Sequence, residues 1–204
     1  MLTLADPQMS SISNSAVNAI FSDATRAIDA ARGVAQPVAR ACEQLIHCLD
    51  SGGKILICGN GGSAADSLHL SSELLNKYDR VRRPLPAISL TADTSTLTSI
   101  GNDETFDHAF SKQVEALGNP GDILIVISTS GNSANILAAV RAAKQKQLPV
   151  IALNGRAGGK LSALLTDDDT DIVVPGEKTA RIQEVHGIII HAFCEFIDQQ
   201  LLGE

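Results

Sequence analysis

The sequence has no tryptophan, and aromatic residues make up only 3% of it, so a core must come from Ala, Val, Ile and Leu. No apolar run approaches the roughly 20 residues that a membrane helix requires. The first twenty residues lack the basic start and hydrophobic stretch of a secretory signal. CxxC spacing is missing as well. Cys42, Cys48, Cys58 and Cys194 fall inside expected helices or strands and read as reduced core residues, which points to the cytoplasm and excludes a disulfide scaffold. A basic excess is also absent. The net charge of −7 argues against a nucleic-acid surface and leaves an anionic ligand to local dipoles and a few placed donors. The nearest thing to a basic patch, Lys77 to Arg83, contains Asp79.

What is present suits a globular chain: 204 residues, 44% of them hydrophobic, fit one domain with a helical extension. Residues 1–12 are polar, with Pro7, Ser10 and Ser11, and are expected to fray. Ala16, Ile20, Ala24 and Ile28 repeat at helical spacing, and Val38, Ala41, Cys42, Leu45, Cys48 and Leu49 do so after Pro37. From Lys54 onward, short apolar strands alternate with helical patterns. Strands are expected at 55–58, 86–90, 123–127, 149–153 and 171–174, with helices near 62–76, 103–117, 133–146 and 179–202. This alternation indicates an α/β fold with a five-stranded parallel sheet covered on both faces. Residues 1–50 read as amino-terminal helices of an oligomer core and 51–204 as the α/β domain, one structural unit in all. The last helix, with Ile188, Ile189, Ile190, Ala192, Phe193, Cys194, Phe196 and Ile197, reads as apolar nearly all round and is expected to meet another subunit.

Two strand-to-helix turns are rich in Gly, Ser, Thr and Asn. The first is Gly59-Asn60-Gly61-Gly62-Ser63, where missing Cβ atoms let backbone N–H groups approach an anion. Gly59-x-Gly61-x-x-Ala64 also fits a loose dinucleotide fingerprint. That motif wants an acidic residue about 20 residues on, and Asp93 lies more than 30 after Gly59. The second turn, Ser128-Thr129-Ser130-Gly131-Asn132-Ser133, supplies hydroxyls and N–H groups for a phosphate without a cation. It lacks the lysine of a nucleoside triphosphate loop. With strand order 2-1-3-4-5, both turns would face one crevice at the reversal point.

His69 and Glu73 stand four apart on the helix that leaves the first turn and share a face. The last helix carries Gln183, His186 and His191, and the residues alone do not choose between the two histidines as an acid. Asn102 and Asp103 read equally as ligand contacts or as a cap for a helix starting at Glu104.

The segments Cys58–Ser63, Ile127–Ser133, His69–Leu75, Gly101–Asp103 and Ala180–His186 together resemble the sugar isomerase (SIS) domain, in its phosphoheptose isomerase branch, over about residues 40–202. The resemblance implies a flavodoxin-like SIS domain in a homotetramer. Its implied reaction turns sedoheptulose 7-phosphate into D-glycero-D-manno-heptose 7-phosphate through an enediol-type proton transfer, for the lipopolysaccharide core. It implies Glu73 as base and His191 as acid. One zinc per subunit would be held by His69, Glu73, Gln183 and His191. Substrate contacts would come from Asn60, Gly61, Gly62, Ser63, Glu73, Asn102, Asp103, Ser128, Thr129, Ser130, Ser133 and Gln183. The implied partners are the sugar phosphate and the chain itself, with no nucleic acid and no membrane. Ala64, Lys77 and Ala180 depart from residues common in the branch and affect details of sugar contact. A related branch binds the replication initiator DnaA and lacks the counterparts of Glu73 and His191. A sugar-phosphate-sensing regulator would need a basic recognition helix, which residues 1–50 do not offer.

Overall fold

A computed structural model describes residues 12–202, so the expectation of fraying over residues 1–12 falls almost wholly outside the described residues. Helix α1 (Asn14–Ala30) starts at Ser13, whose hydroxyl accepts the Ala16 N–H, and a short 3₁₀ turn joins it to α2 (Ala35–Asp50). Pro37 falls in the first turn of α2, where its missing N–H costs nothing. Strands β1 (Ile55–Gly59), β2 (Ala87–Ser89), β3 (Ile123–Ser128), β4 (Val150–Gly155) and β5 (Thr170–Val174) are all parallel, in the order β2-β1-β3-β4-β5. Between them run α3 (Gly62–Leu75), α4 (Thr94–Asp103), α5 (Ser111–Leu117), α6 (Ala134–Gln145) and the single turn α7 (Gly159–Ser162); α8 (Thr179–Leu202) closes the chain.

The strands are continuous apolar runs because both faces are covered, yet the two-residue period still sorts their side chains. Ile55, Ile57, Ile123, Ile125, Ile127, Ile151 and Leu153 join α2, α3 and α8 on one face. Leu56, Cys58, Leu124, Val126, Val150 and Ala152 join α5 and α6 on the other. Truncating a buried side chain such as Ile125 to Ala would cost about 2–5 kcal/mol.

Three expectations change. The helical pattern over 103–117 resolves into the end of α4, a 3₁₀ turn at Phe106–His108 and α5. Helix α4, polar and rich in Thr and Ser, has no apolar stripe to announce it; it starts where the Asp93 carboxylate accepts the Thr96 N–H. Helix α8 is less evenly apolar in its surroundings than its composition suggests. Ile182, Val185, Ile189, Ile190, Phe193, Cys194 and Ile197 are covered within the chain, leaving Ile188 and Phe196 outside. Helix α1, by contrast, has no buried residue, and Val17, Ile20, Phe21 and Ile28 are exposed.

Candidate active site

Strand order puts Gly59 at the end of β1 beside Ile127 near the end of β3, so the two polar turns meet at the reversal point of the sheet. A pair of amides locks them together. Asn60 Nδ2 donates to Asn135 Oδ1 at 2.8 Å, and Asn135 Nδ2 returns a bond of the same length to Asn60 Oδ1. Asn60 is thus a loop tie. Its partner Asn135, buried in the first turn of α6, carries no sequence signal of this role.

Neither helix that opens on this crevice is capped by a side chain. Gly61 occupies the cap position of α3 and Ser133 that of α6, and neither makes a side-chain cap bond, although within the first turn of α6 the Asn135 Oδ1 accepts the Ile136 N–H at 2.9 Å. Helices α1 and α4 are capped by Ser13 and Asp93. Two uncapped, adjacent amino termini present N–H groups and positive dipole ends to one anion.

The hydroxyls divide by job. Ser128 Oγ accepts the Gly131 N–H at 3.2 Å, and Ser130 Oγ accepts the Asn132 N–H at 3.3 Å, so both brace the loop while keeping an O–H to donate. Ser133 makes no side-chain cap bond and is only partly covered. Gly131 holds the loop's shape with φ +63°, and a Cβ there would lie 2.0 Å from the Gly158 carbonyl oxygen.

The chemistry-bearing side chains lie on α3 and α8, which run alongside each other. His69 Nε2 is 3.4 Å from Glu73 Oε1, and the His191 ring meets the His69 ring edge to face at 5.1 Å. Tyr78 also lies near His191, at 5.7 Å between ring centroids. Gln183 lies eight residues, about 12 Å, before His191 on α8, its amide in the space that a Cβ on Gly62 would fill. It also engages Asp66, one turn before His69, whose carboxyl is raised above its ordinary range by burial, against the pull of Gln183 and His69. One Asp66 oxygen is buried without a partner. Asp66 was absent from the sequence reading, although its i, i+3 spacing to His69 places it on the same helix face.

The two histidines of α8 differ in their surroundings, beginning with His186. It is wholly buried, donates from Nε2 to the Asn154 carbonyl at 2.9 Å, and is held below the ordinary imidazole range by burial. His191, by contrast, is exposed on α8 beside His69. Asn102 and Asp103 form the last turn of α4 rather than a cap for a helix from Glu104. They are exposed, Asn102 donates to Asp103 at 2.8 Å, and no hydrogen bond or ion pair links either to the two loops or to α3.

The donors fit a zinc ion in kind and partly in place. Ligands sharing a tetrahedral zinc at bonds of about 2.0–2.1 Å stand roughly 3.4 Å apart, the separation of His69 Nε2 and Glu73 Oε1. Among the described residues no three His, Cys, Asp or Glu side chains already converge on one point. His69 and Glu73 stand at a compatible spacing with His191 beside His69, whereas Gln183 lies eight residues, more than two turns, before His191 on α8.

The SIS domain family matches residues 12–155. The chain is 58% identical to the phosphoheptose isomerase of Chromohalobacter salexigens over 163 residues, 80% of this chain and 83% of that one. It is 52% identical to that of Methylibium petroleiphilum over 184 residues, 90% and 92% of the two chains. The structure of phosphoheptose isomerase GmhA from Neisseria gonorrhoeae superposes with a TM-score of 0.86 at 50% identity, covering 91% of this chain and 98% of that one. The chain belongs to the phosphoheptose isomerase family of SIS-domain proteins.

Proposed function

We propose that this chain is an aldose–ketose isomerase that converts sedoheptulose 7-phosphate to D-glycero-D-manno-heptose 7-phosphate, the first step toward nucleotide-activated heptose for the lipopolysaccharide core. The observation that carries the reading is that α3 joins the two parts: its uncapped amino terminus lies beside that of α6 at the polar turns, and its later turns carry His69 and Glu73, with His191 of α8 beside His69. The phosphate is held by N–H groups of Gly61 and Gly62, by the Ser63 side chain, and by hydroxyls of Ser128, Thr129, Ser130 and Ser133, which anchor one end of the sugar. Glu73 takes the proton from the carbon next to the carbonyl and returns it to the neighbouring carbon. His191 moves the proton between the two oxygens, as an enediol path requires. Asn60 steadies the loops, Gln183 orients the reacting end, and Asn102 and Asp103 contact sugar hydroxyls.

His69, Glu73, Gln183 and His191 would hold one Zn²⁺ per subunit. When bound, it would polarise the substrate oxygens and stabilise charge that develops on them. Glu73 has two carboxylate oxygens, so one can face the ion while the other handles the proton.

The partner assembly is a homotetramer, supported by the exposed Val17, Ile20, Phe21 and Ile28 of α1 and by Ile188 and Phe196 of α8. The working compartment is the cytoplasm, supported by four unpaired buried cysteines. No helix among the described residues is long and apolar enough to cross a membrane. The test is incubation of purified protein with sedoheptulose 7-phosphate, following the aldose product by NMR, alongside elemental analysis of the same sample. Product formation with about one zinc per chain supports the reading; a zinc-loaded protein with no turnover opposes it.

A further inference from the structure

The link between α3 and β2, residues 76–86, is largely exposed, with Val81 84% accessible, yet the Arg82 side chain within it is only 2% accessible. A guanidinium is not withdrawn from water without partners, and this one uses its donors in an uneven way. Nε donates to Asp198 Oδ1 on α8 at 2.6 Å. Nη2 donates to the Glu73 carbonyl at 2.7 Å, and Nη1 to the Leu74 carbonyl at 2.9 Å and to the Arg83 carbonyl at 3.2 Å. If the pair with Asp198 were the whole purpose, a two-pronged fork onto both carboxylate oxygens would be expected. Instead Asp198 Oδ2 is buried without a hydrogen-bond partner, and the prongs of the fork turn to the end of α3.

That end is where help is needed. The carbonyls of Glu73 and Leu74 belong to the last turn of α3, and their helical partners would be residues 77 and 78, beyond the helix; the Leu85 N–H reaches the Leu74 carbonyl at 3.0 Å, and Arg82 Nη2 serves the Glu73 carbonyl. Glu73 also brings a carboxylate to a helix carboxyl end, where the partial negative charge of the dipole opposes it. Without a clamp, the turn carrying Glu73 is the part of α3 most prone to fray. Arg82 supplies a cation and two correctly placed donors to this turn, and it fastens the turn to α8 seven residues beyond His191.

We propose that Arg82 is a positioning residue for the isomerase reaction: it holds the last turn of α3, and through it the Glu73 carboxylate, in register with His69 and with His191 of α8. The proposal rests on the isomerase reading above. The phosphate loops lie at the opposite end of α3, about 20 Å away along a 14-residue helix, and Arg82 does not touch them.

Two variants test it. Arg82→Lys keeps the charge and the ion pair but loses the fork, because an ammonium offers its donors from one point. The double variant Arg82→Met/Asp198→Leu removes both buried charges together, so neither is left unpaired. In each, kcat per folded chain should fall about 10- to 100-fold, the scale of a displacement of about 1 Å at a reacting group. KM should stay within about twofold of wild type. Amide hydrogen exchange should quicken at residues 73–76 and not at 62–69. A folded double variant with wild-type kcat, a KM that rises in step with the loss of kcat, or unchanged exchange at 73–76 would each overturn the proposal. So would failure of both variants to fold, which would make Arg82 a support of the whole fold. Wild type without turnover would instead refute the isomerase reading, and the exchange data would still decide whether Arg82 clamps α3.

Discussion

Gly62→Ala adds one methyl group to the first residue of α3, and the structure says where it goes. The new carbon would lie 2.3 Å from Gln183 Nε2, 2.5 Å from Oε1 and 2.8 Å from Cδ. Carbon contacts settle near 3.5–4.0 Å, so the amide must retreat by about 1 Å or more. The main chain has no reason to object, since Gly62 is not among the glycines with positive φ. Alanine in place of glycine in a helix is worth up to about 1 kcal/mol in its favour. The variant should therefore fold at least as stably as wild type while losing the seat of Gln183. A displacement of this size at a positioned group costs on the order of 100-fold in rate. The assay is kcat and KM on sedoheptulose 7-phosphate, with thermal melting to check the fold. Gly33→Ala, where nothing lies within 4 Å of the new carbon, serves as the control. If the effect runs through Gln183, then Gly62→Ala should cost almost nothing further in a Gln183→Ala background. Equal losses in both backgrounds would show that the methyl acts on the phosphate loop instead.

Ser133→Ala should raise KM by about one to two decades with little change in kcat, since a hydrogen bond to a charged phosphate is worth about 1.5–3 kcal/mol in ground and transition states alike; steady-state kinetics with an unchanged KM would place the phosphate elsewhere. His186 should make the fold acid-sensitive. Its folded pKa lies below the unfolded value of about 6.5, so below that pH the unfolded chain binds more protons, and stability falls by up to about 1.4 kcal/mol per pH unit. Above pH 6.5 this contribution is fully present, and urea titrations from pH 7 to 5 should show a shallower slope for His186→Gln; equal slopes would count against the assignment. Replacing Ile20 and Phe21 together with Glu should break the proposed tetramer into smaller species in sedimentation while leaving the monomer folded, because neither side chain is buried within the chain; an assembly unchanged from wild type would move the proposed interface off α1.

The sheet was readable because its strands are unbroken apolar runs separated by Gly- and Ser-rich turns; the order 2-1-3-4-5 entered only as the condition under which both turns would share a crevice, and the structure has that order. Helix α4 was not readable, since Thr94, Ser95, Thr96, Thr98 and Ser99 give no apolar period and only Asp93 marks its start. The His69–Glu73 pair was visible as an i, i+4 spacing. That His191 lies beside it while His186 is buried was not legible, since it depends on which face of α8 meets β4, where His186 bonds to Asn154. Asn135, Asp66 and Arg82 escaped notice for a shared reason. Each acts through a partner distant in sequence, Asn60, Gln183 and Asp198 respectively, and local pattern carries no trace of such pairings.

The central claim is that Glu73 performs the proton transfer on a sugar phosphate held between the two loops. Its most direct test is the turnover of sedoheptulose 7-phosphate by wild type and by Glu73→Gln, compared at equal zinc content so that loss of a ligand is not mistaken for loss of a base. Glutamine keeps the volume and removes the proton acceptor, so kcat should fall by about 10²–10⁴-fold with the melting temperature nearly unchanged. A zinc-matched Glu73→Gln protein that isomerises at the wild-type rate would contradict the mechanism, and a zinc-loaded wild type that forms no aldose would contradict the enzyme reading and favour the DnaA-binding branch of the fold.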